Sequence, residues 1–397
     1  NSPFIKDDGT IGYNALGTLD NYSDLLRKSN GNPAPRAGYK DELRMEREQY
    51  SLFWEGNWAL GKSTIGIHHI ESSNEGRTLP LTTSEREFLK SKNFANLASA
   101  MNDPEFVALL PRPDRIMEST NTTYSAKYEV PLSNHFLVVG TEYQDSKLKD
   151  GVFGMEKGNS GEAKEYYQYA IYAEDNWNLI DPLTLTLGTR YNYHQDFGDN
   201  VSPRVYLTYS ATDNWTLKGG VSTGYKAPKA TDLYDGIVGF GGQGAIPQIG
   251  NPDLKPEKSV NYEVAAYYEH PDKHNFNVTL FQNDFKDKIE TSSTLKGTAG
   301  EEWADVGYDS LSQKQNIDDA TIKGIEVAGK YFILNDLSIK ANWTYLDSEN
   351  KKTKKPLSSS AKHMYSTTLD WQVTPKLSTY LQYSGTIDRY NPSVSEK

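Results

Sequence analysis

The core of residues 215–268 reads GYKAPKATDLY at 224–234 and NPDLKPEKSVNYE at 251–263. Ahead of the loop, Trp215, Leu217, Gly219, Val221, Thr223 and Tyr225 fall on one side of an extended chain. Thr216, Lys218, Gly220, Ser222 and Lys226 fall on the other. Beyond it, Tyr262, Val264, Ala266 and Tyr268 alternate against Asn261, Glu263, Ala265 and Tyr267. A period of two is the mark of a strand, because successive side chains leave opposite faces of a pleated backbone. The stretch therefore predicts two antiparallel strands joined by a long loop rich in glycine and proline.

The same unit recurs outward in both directions. The clearest strand is 183–194, where Leu183, Leu185, Leu187, Thr189, Tyr191 and Tyr193 oppose Thr184, Thr186, Gly188, Arg190, Asn192 and His194. Strands are likewise expected at 42–54 and 63–71, from Thr122 to Val130, and through Leu137, Val139 and Tyr143. Others run from Tyr167 to Ala173, through Val205 to Tyr209, at 276–289, from Ile325 to Tyr331, from Leu337 to Tyr345, from Tyr365 to Trp371, and through Leu377 to Tyr383. That makes about fourteen strands of roughly eight to fourteen residues, the length a tilted strand needs to cross a bilayer.

Tight turns are expected at Gly56 and Asn57, Pro131, Asp181 and Pro182, Ala211, Pro271, Asn335 and Pro375. Every intervening connection but the one near Gly198 is long: 72–118, 147–163, the loop of the opening stretch, the polar loop 290–320, and the lysine-bearing loop around 351–355. Short turns at one end and long loops at the other are the pattern of an outer-membrane β-barrel. The expected fold is an all-β antiparallel transmembrane barrel. A propeller would repeat at about 40 residues, and no such period exists.

The composition agrees with lipid as solvent. Mean hydropathy is −0.70 and no apolar run approaches the ~20 residues of a membrane helix. Alternating lipid-facing and lumen-facing residues average out as polar, so this does not exclude a barrel. The 27 tyrosines and seven tryptophans supply the aromatic girdles such a wall needs at its two interfaces. Along 183–194 the apolar face carries no charge, while the other face carries Arg190 and His194. The inward face also collects Lys127, Glu129, Lys218, Glu263, Glu326 and Lys330. The net charge of −11 argues against a nucleic-acid partner, and the absence of cysteine excludes a disulfide scaffold.

Within 72–118 the reading is a folded lid. Ser84 to Glu87 fits a capping box, Asp103 caps Pro104, and two apolar stripes follow, Phe94, Leu97, Ala98 and Met101, then Phe106, Leu109 and Leu110. No catalytic constellation appears. His68 and His69 leave opposite faces of a strand and cannot share a metal, and His270 and His274 flank a tight turn without a third ligand. GFGGQG at 239–244 lacks the strand–helix context of a dinucleotide fingerprint. Binding residues are expected among the loops: Arg77, Arg86, Arg112, Arg115, Lys226 and Lys229 as cations, with Tyr234, Phe240 and Trp303 as aromatic faces. Cations beside aromatic rings suit an anionic aromatic ligand; the plainer alternative for any one of them is loop solvation or contact with lipopolysaccharide.

GYKAP followed by NPDLKPEKSVNYE resembles the barrel signature of TonB-dependent outer-membrane receptors. NVTLFQNDFKDKI at 277–289, IKGIEV at 322–327 and the stretch 357–371 fit the same family. Among its members the sequence is most similar to ferric catecholate siderophore receptors, of the ferric enterobactin and colicin I receptor type. The resemblance implies an outer-membrane location in a Gram-negative bacterium, a barrel of about 22 strands, an N-terminal plug and a TonB box. Chain 1–397 then corresponds to barrel alone, incomplete at both ends and without the plug. It implies import of a ferric siderophore driven by the TonB complex through the plug, no enzymatic activity, no covalent cofactor, and iron only as part of the ligand. Lipid and lipopolysaccharide, colicins and phage are the other implied partners. Haem or cobalamin uptake, a passive porin and a soluble all-β enzyme are the alternatives.

Overall fold

The computed structural model describes residues 39–155, 160–241, 246–293, 311–317, 319–357 and 360–390, with short pieces at 3–5, 11–13, 26, 28–29 and 32–33. Its frame is one 14-stranded antiparallel sheet in which each strand pairs with its predecessor and its successor. The strands are β1 (Tyr39–Trp58), β2 (Gly61–Thr78), β3 (Asp114–Leu132), β4 (His135–Asp150), β5 (Ala163–Ile180), β6 (Leu183–His194) and β7 (Gly198–Ser210). They continue with β8 (Trp215–Lys226), β9 (Glu257–Glu269), β10 (Asn275–Lys286), β11 (Ala320–Leu334), β12 (Leu337–Asn350), β13 (Ala361–Thr374) and β14 (Leu377–Arg389). The opening stretch becomes the adjacent pair β8 and β9, in register from Trp215 with Tyr268 to Lys226 with Glu257.

The tight turns lie at one end, except the three-residue turn 195–197 between His194 and Gly198 at the other. Leu132 pairs with His135 and Leu334 with Leu337, while β6 returns on β5 directly after Ile180. The first turn is displaced from its expected place. Gly56 and Asn57 are strand residues paired with Ser63 and Lys62, and the chain reverses at residues 59–60. Gly61 permits this: its φ is +144°, and a Cβ there would lie 2.1 Å from the Glu129 carbonyl oxygen of the next strand.

At the other end several strands outrun the sequence expectation. β3 begins at Asp114 rather than near Thr122, and its polar start, DRIMESTN, pairs with residues 70–78 of β2. Hydropathy does not see such a segment, because above the bilayer a ribbon is held by backbone hydrogen bonds and needs no apolar face. The lid connection is consequently 79–113. Two further loops, read as irregular from sequence, contain strands. Ile237–Gly241, Ile246–Ile249, Ser312–Asn316 and Ile289–Ser293 form a separate four-stranded sheet over the long-loop end.

The two faces of the wall separate as the alternation predicts, with one correction. Leu187, Val205, Leu207, Leu217, Val221, Val264 and Leu280 are exposed on the outward face. Asp175 sits there too, opposite Leu187 in register. It pairs with His135 Nδ1 at 2.7 Å near the tight-turn end, and His135 stacks on Trp177 at 5.1 Å. The inward face carries Arg190 on Glu142 at 3.3 Å, Arg204 on Glu174, and Lys218 5.0 Å from the Tyr206 ring.

Candidate functional site

Among the described residues, the long-loop end packs into two units. The first is the lid, with helices α1 (Thr83–Lys92), α2 (Leu97–Ala100) and α3 (Pro104–Val107). The capping box of α1 is Thr82 with Glu85, two residues ahead of the expected Ser84 and Glu87. Asp103 caps α3 as predicted, accepting from the Glu105 and Phe106 amides. Leu81, Leu89, Ala100 and Phe106 are sealed in the centre, with Phe94 edge-on to Phe106 at 5.5 Å. Arg112 closes the base. Its Nη1 and Nη2 each donate to a Glu85 carboxylate oxygen at 2.9 Å, and Nη2 also donates to the Pro80 carbonyl at 2.8 Å. Burial pushes the Glu85 carboxyl up, but the bonds from Arg112 and Thr82 outweigh it and hold the group below the usual glutamate range.

The second unit joins the loops after β4 and β8 to the small sheet. Arg115 forks onto Asp150 through two bonds of 2.8 Å, and the Asp150 carboxylate also accepts from the Val152 amide. That fixes the loop carrying Phe153, which stacks on Tyr234 with centroids 4.4 Å apart and planes within 13°. Val152, Met155, Ile237, Ile249 and Leu311 complete the cluster, with Phe240 packed against it. Polar ties brace its rim: the Tyr234 hydroxyl donates to Glu162, Lys314 pairs with Asp232 at 2.8 Å, and Asn251 donates to the Lys314 carbonyl. Gly250 is required where the loop crosses Tyr234, since a Cβ would stand 1.9 Å from the Tyr234 carbonyl oxygen.

The residues expected to bind are therefore distributed unequally. Tyr234 and Phe240 come together in the loop cluster, and Arg77 and Arg115 are register partners. Arg86 and Arg112 are buried within the lid. Arg112 and Arg115 spend their guanidinium groups on internal carboxylates, and Lys226 pairs with Glu257 at 2.9 Å. Lys229 is exposed at the start of the 3-10 turn Ala230–Leu233. Trp303 lies outside the described residues. Sequence reading missed Glu85, Asp150, Phe153, Glu162, Asp232 and Lys314, which position the others. Only Phe153 left a signal, in the apolar run GVFGM at 151–155 of a polar loop.

At the tight-turn end the two histidines gain the third group that the sequence reading lacked. His270, Asp272 and His274 bring donor atoms within 4.8 Å of one another.

Comparison with known proteins places this architecture. The profile described as "TonB dependent receptor-like, beta-barrel" matches residues 2–396. The iron-regulated outer membrane virulence protein of Vibrio cholerae is 33% identical over 279 residues, covering 68% of this chain and 42% of that protein. The ferrienterobactin receptor of Escherichia coli is 28% identical over 391 residues, covering 92% of this chain and 50% of that receptor. A solved structure of a ferric enterobactin receptor mutant from Pseudomonas aeruginosa, in complex with enterobactin, superposes with a TM-score of 0.66 at 26% identity. It covers 87% of this chain and 50% of that one. The chain thus spans about half the length of the curated relatives it matches.

Proposed function

The chain belongs to the TonB-dependent receptor β-barrel family, a family of outer-membrane receptors and not of enzymes, and on that premise we propose that it is the barrel portion of a receptor for ferric siderophores of the catecholate type. The observation that carries this reading is that ferric enterobactin receptors align with this chain across most of its length. In the proposed cycle the ferric complex docks at the long-loop end. The TonB complex acts through a plug, and the ligand crosses the lumen past the Arg190–Glu142 and Arg204–Glu174 pairs. Iron enters as cargo inside the ligand.

The physical support is that the described residues of the loop end are already packed together. A packed platform pays little ordering entropy on binding, which favours tight capture of a scarce solute. The net charge of −11 gives an anionic complex no overall attraction, so local cations must supply it. Lys229 is favoured among the expected contacts because it is exposed, while Arg112, Arg115 and Lys226 are engaged by carboxylates.

Intrinsic tryptophan fluorescence of the complete receptor, titrated separately with ferric enterobactin, haem and cobalamin, tests the proposal. Saturable quenching at low concentration by ferric enterobactin alone is expected. Quenching confined to haem or cobalamin would overturn the catecholate reading.

A further inference from the structure

The tight turn between β9 and β10, His270-Pro271-Asp272-Lys273-His274, stands at the head of a groove of about 560 Å³ in the sheet. The groove lies on the outward face. Phe276 is in register with Tyr268 on one side and Gly329 on the other, and Gly329 with Ala341, so one row crosses β9 to β12 on the same side as Val264 and Leu280. Gly329 and Ala341 leave its floor low, and Tyr268, Phe276 and Tyr331 stand as aromatic walls. The tight turns place this end of the wall at one membrane interface.

The chemistry at the head is set by hydrogen bonds. His274 stacks on Tyr331 at 4.6 Å, and its Nδ1 accepts from the Phe332 amide at 3.0 Å. His270 lies 5.5 Å from His274, and its Nδ1 accepts from the Asp272 amide at 3.2 Å. A neutral imidazole whose Nδ1 lone pair is occupied carries its proton on Nε2. The Asp272 carboxylate also comes within 3.4 Å of His270 Nδ1, farther than the amide. If that ring is charged, Nδ1 donates to the carboxylate, and Nε2 still carries a proton. Both histidines therefore offer Nε2–H donors. A metal ion would have to break both Nδ1 bonds before Nε2 could ligate it, despite the closeness of the three groups. Donors beside an exposed carboxylate fit a molecule that is anionic at one atom and cationic a few ångströms away.

We propose that this is a binding site for one zwitterionic aminophospholipid. One acyl chain lies over Gly329 and Ala341 between the aromatic walls. The phosphate accepts from His270 and His274 Nε2–H, and the ammonium donates to Asp272.

Native mass spectrometry of the complete receptor, delipidated in detergent, tests the site. The protein is titrated with phosphatidylethanolamine, phosphatidylglycerol, phosphatidylcholine and free glycerophosphoethanolamine. A one-to-one phosphatidylethanolamine adduct is expected at about tenfold lower concentration than either other lipid, as a charge-assisted hydrogen bond to the ammonium implies. The free headgroup should not bind without its chain. His270→Phe with His274→Phe keeps the ring stack and should abolish retention. Asp272→Asn should erase the preference over phosphatidylglycerol, and Ala341→Trp, an exposed outward position, should fill the groove and release the lipid. Equal retention of the three lipids by the unmodified protein overturns the proposal without needing any variant. Stoichiometric uptake of Zn2+ that displaces the lipid overturns it too, making the turn a cation site.

Discussion

The wall and the loop end of this molecule are packed by opposite rules. In β6, β7 and β8, Leu187, Val205, Leu207 and Leu217 lie exposed, while in the loops Phe106 and Phe153 are 0% exposed and Leu311 2%. Charges follow the same division. Wall pairs such as Arg190–Glu142 stay about two-fifths exposed, whereas Arg115 and Asp150 are sealed at 9% each. The difference teaches which solvent each region was built for. Lipid costs an outward leucine nothing, so the wall is held by its backbone ladder. Water requires the loops to bury their apolar groups and to pair every charge they cover.

Breaking each region by its own rule sharpens the contrast. Truncating Phe106 to Ala should produce the largest effect, about 4 kcal/mol, because it empties the centre of the lid core. Hydrogen exchange should then accelerate in the amides of α1 to α3 and leave β6 unchanged; spread of the loss into the sheet would mean that lid and wall share one core. Next is Leu185→Arg on the outward face, at about 1 to 2 kcal/mol because it stands only two residues in from the tight-turn end of β6, against far less for Thr186→Arg on the inward face. Equal costs in a bilayer refolding titration would erase the distinction between faces.

The smallest effect is the response of the lid to acid. Glu85 is held below its ordinary range in the folded protein, so its stabilisation is complete above the unfolded pKa of about 4.3 and is lost as pH falls through the lower folded value. Lid protection should stay level from neutrality to about pH 5 and decline only beneath that range. In Arg112→Met the acid-dependent decline should shrink, since the guanidinium that lowers the carboxyl is gone and the gap between folded and unfolded values closes. An unchanged profile in that variant would remove Arg112 as the cause.

Much of the wall was legible because a strand writes its two faces into adjacent letters. The alternation of Leu183 through His194 and the turns at 131–134 and at Asp181 needed only local reading. Asp175 escaped because its partner His135 stands 40 residues away, and no window along β5 shows that an outward carboxylate is matched. The strand ends were drawn short where DRIMESTN continues the ladder without an apolar face.

The candidate site suffered the same blindness more severely. Arg112 and Arg115 look like ligand cations until Glu85 and Asp150, 27 and 35 residues distant, are folded against them. Charge type is local information, but whether a charge is already spent is not. Lys226 and Lys229 are three residues apart and both exposed, and only the fold shows that Lys226 is paired with Glu257.

The account rests on which face of the wall meets lipid, and single-site spin labels test that directly. The chain has no cysteine, so Leu185→Cys, Thr186→Cys and Leu187→Cys can each be labelled in the complete receptor and reconstituted in bilayers. The account predicts that labels at 185 and 187 relax with molecular oxygen and resist a water-soluble nickel chelate, with the opposite at 186. Uniform accessibility across the three, or the reverse alternation, would contradict it.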